Sequence, residues 1–274
     1  MGLKLEVLAL AGIFLSACDN AVDLDEASVE AEVEPTPVAY YEYLWCKRGE
    51  NWSMESAQSF VDDWNAELDG MENTLDGAFV YVPKEVENQN FDTVWVLRFA
   101  DKLAMEKGWS IYQESGAEDR LQNNHPGVVE CGNEIGQNRF GFDMYSAVTA
   151  PDGFADEEPY LVQGQFCNFN EGKTPDDLTA VIRDHFVPAI EEGKANGSYP
   201  SYWFMVGAPD FESENRADFI WMDYFSSAEA MEAETGIYFG SETGNSIQAM
   251  FDEVAECTEQ QQSDGYILRR SDSI

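Results

Sequence analysis

Apolar residues along this chain recur with two periods, and the periods alternate. Met54, Ala57, Phe60, Val61, Trp64 and Leu68 return every three or four positions, as do Leu178, Val181, Ile182, His185, Phe186 and Ala189. Each set describes one face of an amphipathic helix. Ser53 and Thr174 stand just before these sets as N-caps, and Pro175 with Asp176 and Asp177 suits a first helical turn. Between the helices lie short runs rich in aromatic and β-branched residues, which predict strands at 40–46, 78–83, 93–99 and 139–145, then at 203–209, 219–225 and 264–268. Asp101 and Ser227 are placed to cap two more helices. The last of these is drawn by Ile247, Met250, Phe251 and Val254, while its counterpart in the first half is broken at 123–127, around His125 and Pro126. Each half therefore reads strand, helix, strand, strand, helix, strand, the order of the split βαβ or ferredoxin-like unit.

The halves are copies. Sliding the sequence by 126 positions lays Val80 on Val206, Pro83 on Pro209, Asp92 on Asp218, Trp95 on Trp221, Phe99 on Phe225 and Cys131 on Cys257, with no gap. Such self-similarity makes the protein a tandem pair, with repeats expected at 39–150 and 151–274.

Composition narrows the setting. With 53 acidic against 15 basic residues the formal net charge is -38, which repels nucleic acid and excludes it as a partner. No acidic run has the spacing of a calcium loop, and two histidines are too few for a histidine-rich metal site, so neither a metal nor any other cofactor is expected. Residues 1–17 have the length and flanks of a signal peptide, and Leu15-Ser16-Ala17-Cys18 resembles the lipobox of bacterial lipoproteins. That resemblance implies cleavage before Cys18 and lipidation of it. Residues 18–38 then form an acidic tether, and the repeats lie in the periplasm or outside the cell. Asp19 resembles the signal that retains such proteins at the inner membrane. Export makes the remaining cysteines readable as disulfides. Equivalent units should close equivalent loops, so Cys46 is expected to pair with Cys131 and Cys167 with Cys257.

A ferredoxin-like sheet carries helices on one face and leaves the other bare. Two units in one chain can cover each other sheet to sheet, and in this the chain resembles a fused form of the dimeric α+β barrel superfamily, which includes antibiotic-biosynthesis monooxygenase-like domains. The resemblance implies an α+β fold, a monomer built as a pseudo-dimer, and an activity of the cofactor-independent monooxygenase or haem-binding type. The residues themselves assemble no nucleophile, base or metal cluster. They favour a non-catalytic envelope protein that binds a small apolar ligand or another envelope protein.

Candidate site residues follow from strand alternation. Leu97 and Phe99 share a side with Trp95, and Asp223 and Phe225 share one with Trp221. If that side faces the space between the sheets, Asp223 is a polar group in an aromatic cavity, with Arg98, Gln163 and Gln165 as further polar lining. If it faces the helices, the tryptophans are core, which is the plainer reading. For His185, on the helical stripe, a partly buried structural role is preferred to a base or haem ligand. For His125, a loop breaker beside Pro126 is preferred.

Overall fold

The computed structural model describes residues 36–85, 90–214 and 216–270; the lipobox, Cys18 and most of the tether lie outside them. The first repeat runs β1 (Ala39–Arg48), α1 (Met54–Asp69), β2 (Leu75–Pro83), β3 (Thr93–Phe99), α2 (Lys102–Ser115), α3 (Ala117–Asn124), β4 (Val129–Cys131) and β5 (Arg139–Tyr145). The second runs β6 (Tyr160–Phe169), α4 (Pro175–Val181), a π-turn (Ile182–Phe186), α5 (Val187–Asn196), β7 (Trp203–Pro209), β8 (Phe219–Phe225), α6 (Ala228–Gly240), α7 (Glu242–Val254), β9 (Ala255–Cys257) and β10 (Gln261–Arg269). Ser53, Thr174, Asp101 and Ser227 are the N-caps the sequence indicates; Asp101 and Ser227 accept from the backbone N–H of Ala104 and Ala230. The short strands β4 and β9 were not foreseen.

Both repeats fold into the same four-stranded antiparallel sheet, β5-β1-β3-β2 in the first and β10-β6-β8-β7 in the second. The sheets do more than face each other: β5 pairs with β7 and β10 pairs with β2. Eight strands thus close an antiparallel ring, which leaves those edge strands paired. The ring is filled by side chains, among them Tyr41, Tyr43, Tyr81, Tyr160 and Tyr224 with Met144, Met205 and Met222. Helices cover the outside, one core under each set.

The disulfides are the two expected, Cys46–Cys131 and Cys167–Cys257. Each joins directly opposed residues, clamping β4 to β1 and β9 to β6. In the chain-entropy account, loops of this length correspond to about 4–5 kcal/mol each before native strain is subtracted.

One irregularity separates the copies. Trp64 follows Cys46 by 18 residues and Leu68 by 22, and both are buried. In the second repeat the buried residues are Phe186 and Ile190, 19 and 23 after Cys167. The π-turn, in which the Val187 N–H reaches the Ile182 carbonyl, supplies the extra residue. This corrects the expectation for His185. It has the sequence position of Trp64, but the π-turn rotates it out to solvent and sends Phe186 inward. His125 is the C-cap of α3, its Nε2 2.7 Å from Asp63 Oδ2 and its ring against Phe60.

Candidate functional site

Along β8, Ile220, Met222 and Tyr224 point into the barrel, so Trp221, Asp223 and Phe225 point under the helices. The same holds for Trp95, Leu97 and Phe99 on β3. Both tryptophans thus lie under the helices, the plainer of the two readings, and the inter-sheet alternative for them and for Asp223 is set aside: the barrel interior is occupied, and open space lies between each sheet and its own helices. Arg98 is on the opposite side of β3 from Trp95, ion-paired with Asp76, and lines neither cleft.

In the second repeat this space is a cavity of about 290 Å³, near the lower end of small-molecule pockets. Gln163 and Gln165 on β6 lie directly opposite Asp223 and Trp221, so three of the polar residues singled out in the sequence do meet here. Phe186, delivered by the π-turn, packs on Trp221 at 5.7 Å between ring centroids; Phe204 stacks on Trp221 at 4.8 Å and meets Phe186 at 5.1 Å.

Asp223 is the chemical centre of the cleft. It is 8% exposed, and its Oδ1 accepts hydrogen bonds from the Tyr202 hydroxyl and the Trp221 indole N–H, both at 2.7 Å. Neither bond falls on Oδ2. Burial pushes the carboxyl up to about 6, although the two donors pull it down. Around it, two buried polar atoms have no partner among the described residues, the Gln163 Oε1 and the Tyr238 hydroxyl. Glu234 on α6 fixes the approach of Tyr202. It accepts from the Ser201 hydroxyl at 2.5 Å and from the Tyr202 backbone N–H at 3.0 Å, holding the turn into β7. An acceptor, a donor and a buried carboxylate thus converge on an aromatic space, the make-up of a ligand site.

Tyr202, Glu234 and Tyr238 escaped the sequence reading. Tyr238 carried a signal, since it repeats Tyr112, but Tyr202 sits in an irregular turn where no periodicity points. Neither His125 nor His185 lines a cleft. The cavity cysteine, Cys257, is disulfide-bonded. The side chains present do not fit a haem held by imidazole or thiolate.

The first repeat holds the corresponding cleft, about 530 Å³, lined by Phe60, Trp64, Trp95, Leu97, Trp109 and Tyr112. Leu97 replaces Asp223 there. Glu42 takes the position of Gln163, and it is neutralised by Arg139, at 2.6 Å, and by a hydrogen bond from the Trp109 indole.

No family model matches the sequence, and no curated protein does. Solved structures match by shape. A protein of Fusobacterium nucleatum with a provisional monooxygenase name superposes with a TM-score of 0.50 at 13% identity, over 86% of this chain and 95% of that one. A similarly named protein of Lactobacillus acidophilus gives 0.46 at 7%, over 86% and 96%. A variant chlorite dismutase of Candidatus Nitrospira defluvii gives 0.47 at 10%, over 85% and 92%. At these identities the likeness concerns fold alone, and the fold is that of a fused dimeric α+β barrel.

Proposed function

We propose that the protein is a small-molecule enzyme working in the second-repeat cleft, with Asp223 as general base, and that it oxygenates a weakly acidic aromatic substrate without a resident cofactor. The observation that carries this reading is a buried carboxyl, raised to about 6, whose two hydrogen bonds both fall on Oδ1 in an aromatic cavity. A base of that strength is ionised at neutral pH, yet takes a proton more readily than an ordinary aspartate. In the proposed step Asp223 removes a proton from a CH₂ group activated by a neighbouring carbonyl. The resulting enolate gives an electron to dioxygen and forms a C–O bond, and the hydroperoxide loses water to leave a new carbonyl. One dioxygen is consumed, with one atom retained and one released as water. Gln163 and Tyr238 offer an acceptor and a donor to the substrate's own polar groups.

The provisional monooxygenase name of the Fusobacterium structure agrees with this reading and does not carry it. A haem enzyme is not proposed, for want of a fitting ligand in the cleft. A non-catalytic binding role for the same cleft is the second reading, favoured by the filled barrel interior, which leaves ligand-sized space outside the barrel rather than within it. Two disulfides suit an oxidising compartment. With the signal ending at Cys18, the proposal locates the enzyme on the bacterial envelope by a lipid anchor, as a monomer.

Oxygen uptake with anthrone as the probe substrate tests the reading. D223N, which keeps an oxygen acceptor in place, is expected to lower the rate by about 10²- to 10⁴-fold while anthrone still binds. Binding without oxygen uptake in the unmutated protein would favour the non-catalytic role, and an unchanged rate in D223N would remove Asp223 from the mechanism.

A further inference from the structure

We infer that the first-repeat cleft is a second ligand site, one that binds a flat, neutral aromatic molecule through a carbonyl oxygen and does not transform it. The register that builds the second-repeat cavity builds this one as well. Trp95 stands for Trp221, Phe99 for Phe225 and Tyr112 for Tyr238, on the same elements and under the same helices. It is the roomier of the two, about 530 Å³ against about 290 Å³. It has not been filled by larger side chains, as a disused pocket in a close-packed protein can be.

What differs is the chemistry. Leu97 in place of Asp223 removes the base. Glu42 in place of Gln163 brings a charge, but one already spent: its Oε1 takes the Arg139 guanidinium and its Oε2 the Trp109 indole N–H. Arg139 is only 12% exposed, stacks on Trp109 at 4.3 Å, and uses Nε and Nη2 toward Glu42. Its Nη1 has no hydrogen-bond partner among the described residues. Arg139 lines the wall of this cleft, so an N–H not used toward Glu42 can donate to an acceptor oxygen of a ligand there.

The acceptor should be uncharged. Arg139 in the cleft wall is neutralised by Glu42, which is not itself part of the lining; Glu118 and Glu130 do line the cleft, and the chain as a whole carries -38. An anionic ligand would meet repulsion from nearly every side. A ketone or quinone on a polycyclic ring meets an apolar floor of Trp64 and Trp95 and one N–H.

The inference stands apart from catalysis at Asp223, and counting bound ligand separates them. With the full chain and 9-fluorenone, a neutral aromatic ketone, as the probe, equilibrium dialysis should find two equivalents bound. Gln113→Trp closes the first cleft at an exposed rim position where the other repeat already carries Phe239, so folding is not at risk. It should remove one equivalent, and Thr235→Trp in the second cleft should remove the other. The double variant E42Q/R139Q, which leaves no buried charge unpaired, should weaken the first-cleft equivalent by at least about tenfold. In the unmutated protein 9-fluorenone-2-carboxylate should bind that cleft more weakly than fluorenone. If Gln113→Trp leaves the stoichiometry unchanged, or if E42Q/R139Q binds as tightly as the parent, the inference falls. If only one equivalent binds and Gln113→Trp abolishes it, the inference stands and the second-cleft reading is the one that fails.

Discussion

Asp223 sets two demands against each other. Held in its cleft its carboxyl titrates near 6, against 3.8 when unburied. Between those values the folded protein binds the proton that the unfolded chain has lost. The contribution of this residue to stability is therefore greatest below about pH 4, falls as the pH rises to about 6, and is absent as a benefit at neutral pH. The gap corresponds to about 3 kcal/mol. Since the chain carries 53 acidic residues in all, the measurement is the difference between D223N and parent. D223N is expected to melt higher than the parent at pH 7.5 and to lose that advantage by pH 4, in thermal scans at fixed ionic strength. Oxygen uptake by the parent should rise with pH through about 6 as the base ionises. A variant both firmer and inactive would be the mark of a residue kept for chemistry.

At this scale the sequence was partly legible. Alternation grouped Trp221, Asp223 and Phe225 correctly on one side of their strand. It did not say which side met the helices, because every residue of β8 is buried and both of its faces are apolar. Gln163 and Gln165 belonged with Asp223 because β6 pairs β8, a contact across sequence distance. Arg98 did not, being one residue out of phase.

Among elements, the helix opposite each cleft shows how far pattern reading reaches. Caps located both helix starts to the residue, since capping is local chemistry. The apolar stripe of the second was misread at His185 because 3.6-residue counting assumes an unbroken helix, and one π-turn shifts everything after it. Removing one exposed residue there should restore an α-helix and keep Phe186 and Ile190 facing the sheet. The deletion of Asp184 is therefore expected to leave the far-ultraviolet spectrum intact and the melting temperature within a few degrees, while altering ligand affinity in the adjoining cavity. A collapse in stability would mean that the π-turn is needed for the helix to dock at all. Cysteine pairing was legible for a different reason: duplication restricted three possible connectivities to one.

For the whole molecule the seams decide behaviour. Each joins a β5-type strand of one repeat to a β2-type strand of the other, so the repeats are related by an approximate two-fold axis. A single repeat, residues 36–150 alone, would have the unpaired edges of β2 and β5 and a tyrosine-rich face open to water. It is expected to associate with a second copy and rebuild the ring, giving a dimer in sedimentation with both cysteines of each copy still paired. A well-folded monomer would show that closure contributes little. Net charge opposes this association, and added salt should tighten it.

Linking the two halves also alters what mutation can do. In an assembly of identical subunits, a change such as aspartate to leucine strikes every site at once, and chemistry lost in one is lost in all. Here Leu97 and Asp223 occupy matching positions but are separately encoded. Each chamber can therefore vary by itself, and the covalent union of the barrel is what allows the two, about 530 and 290 Å³, to differ in size and in lining within one molecule.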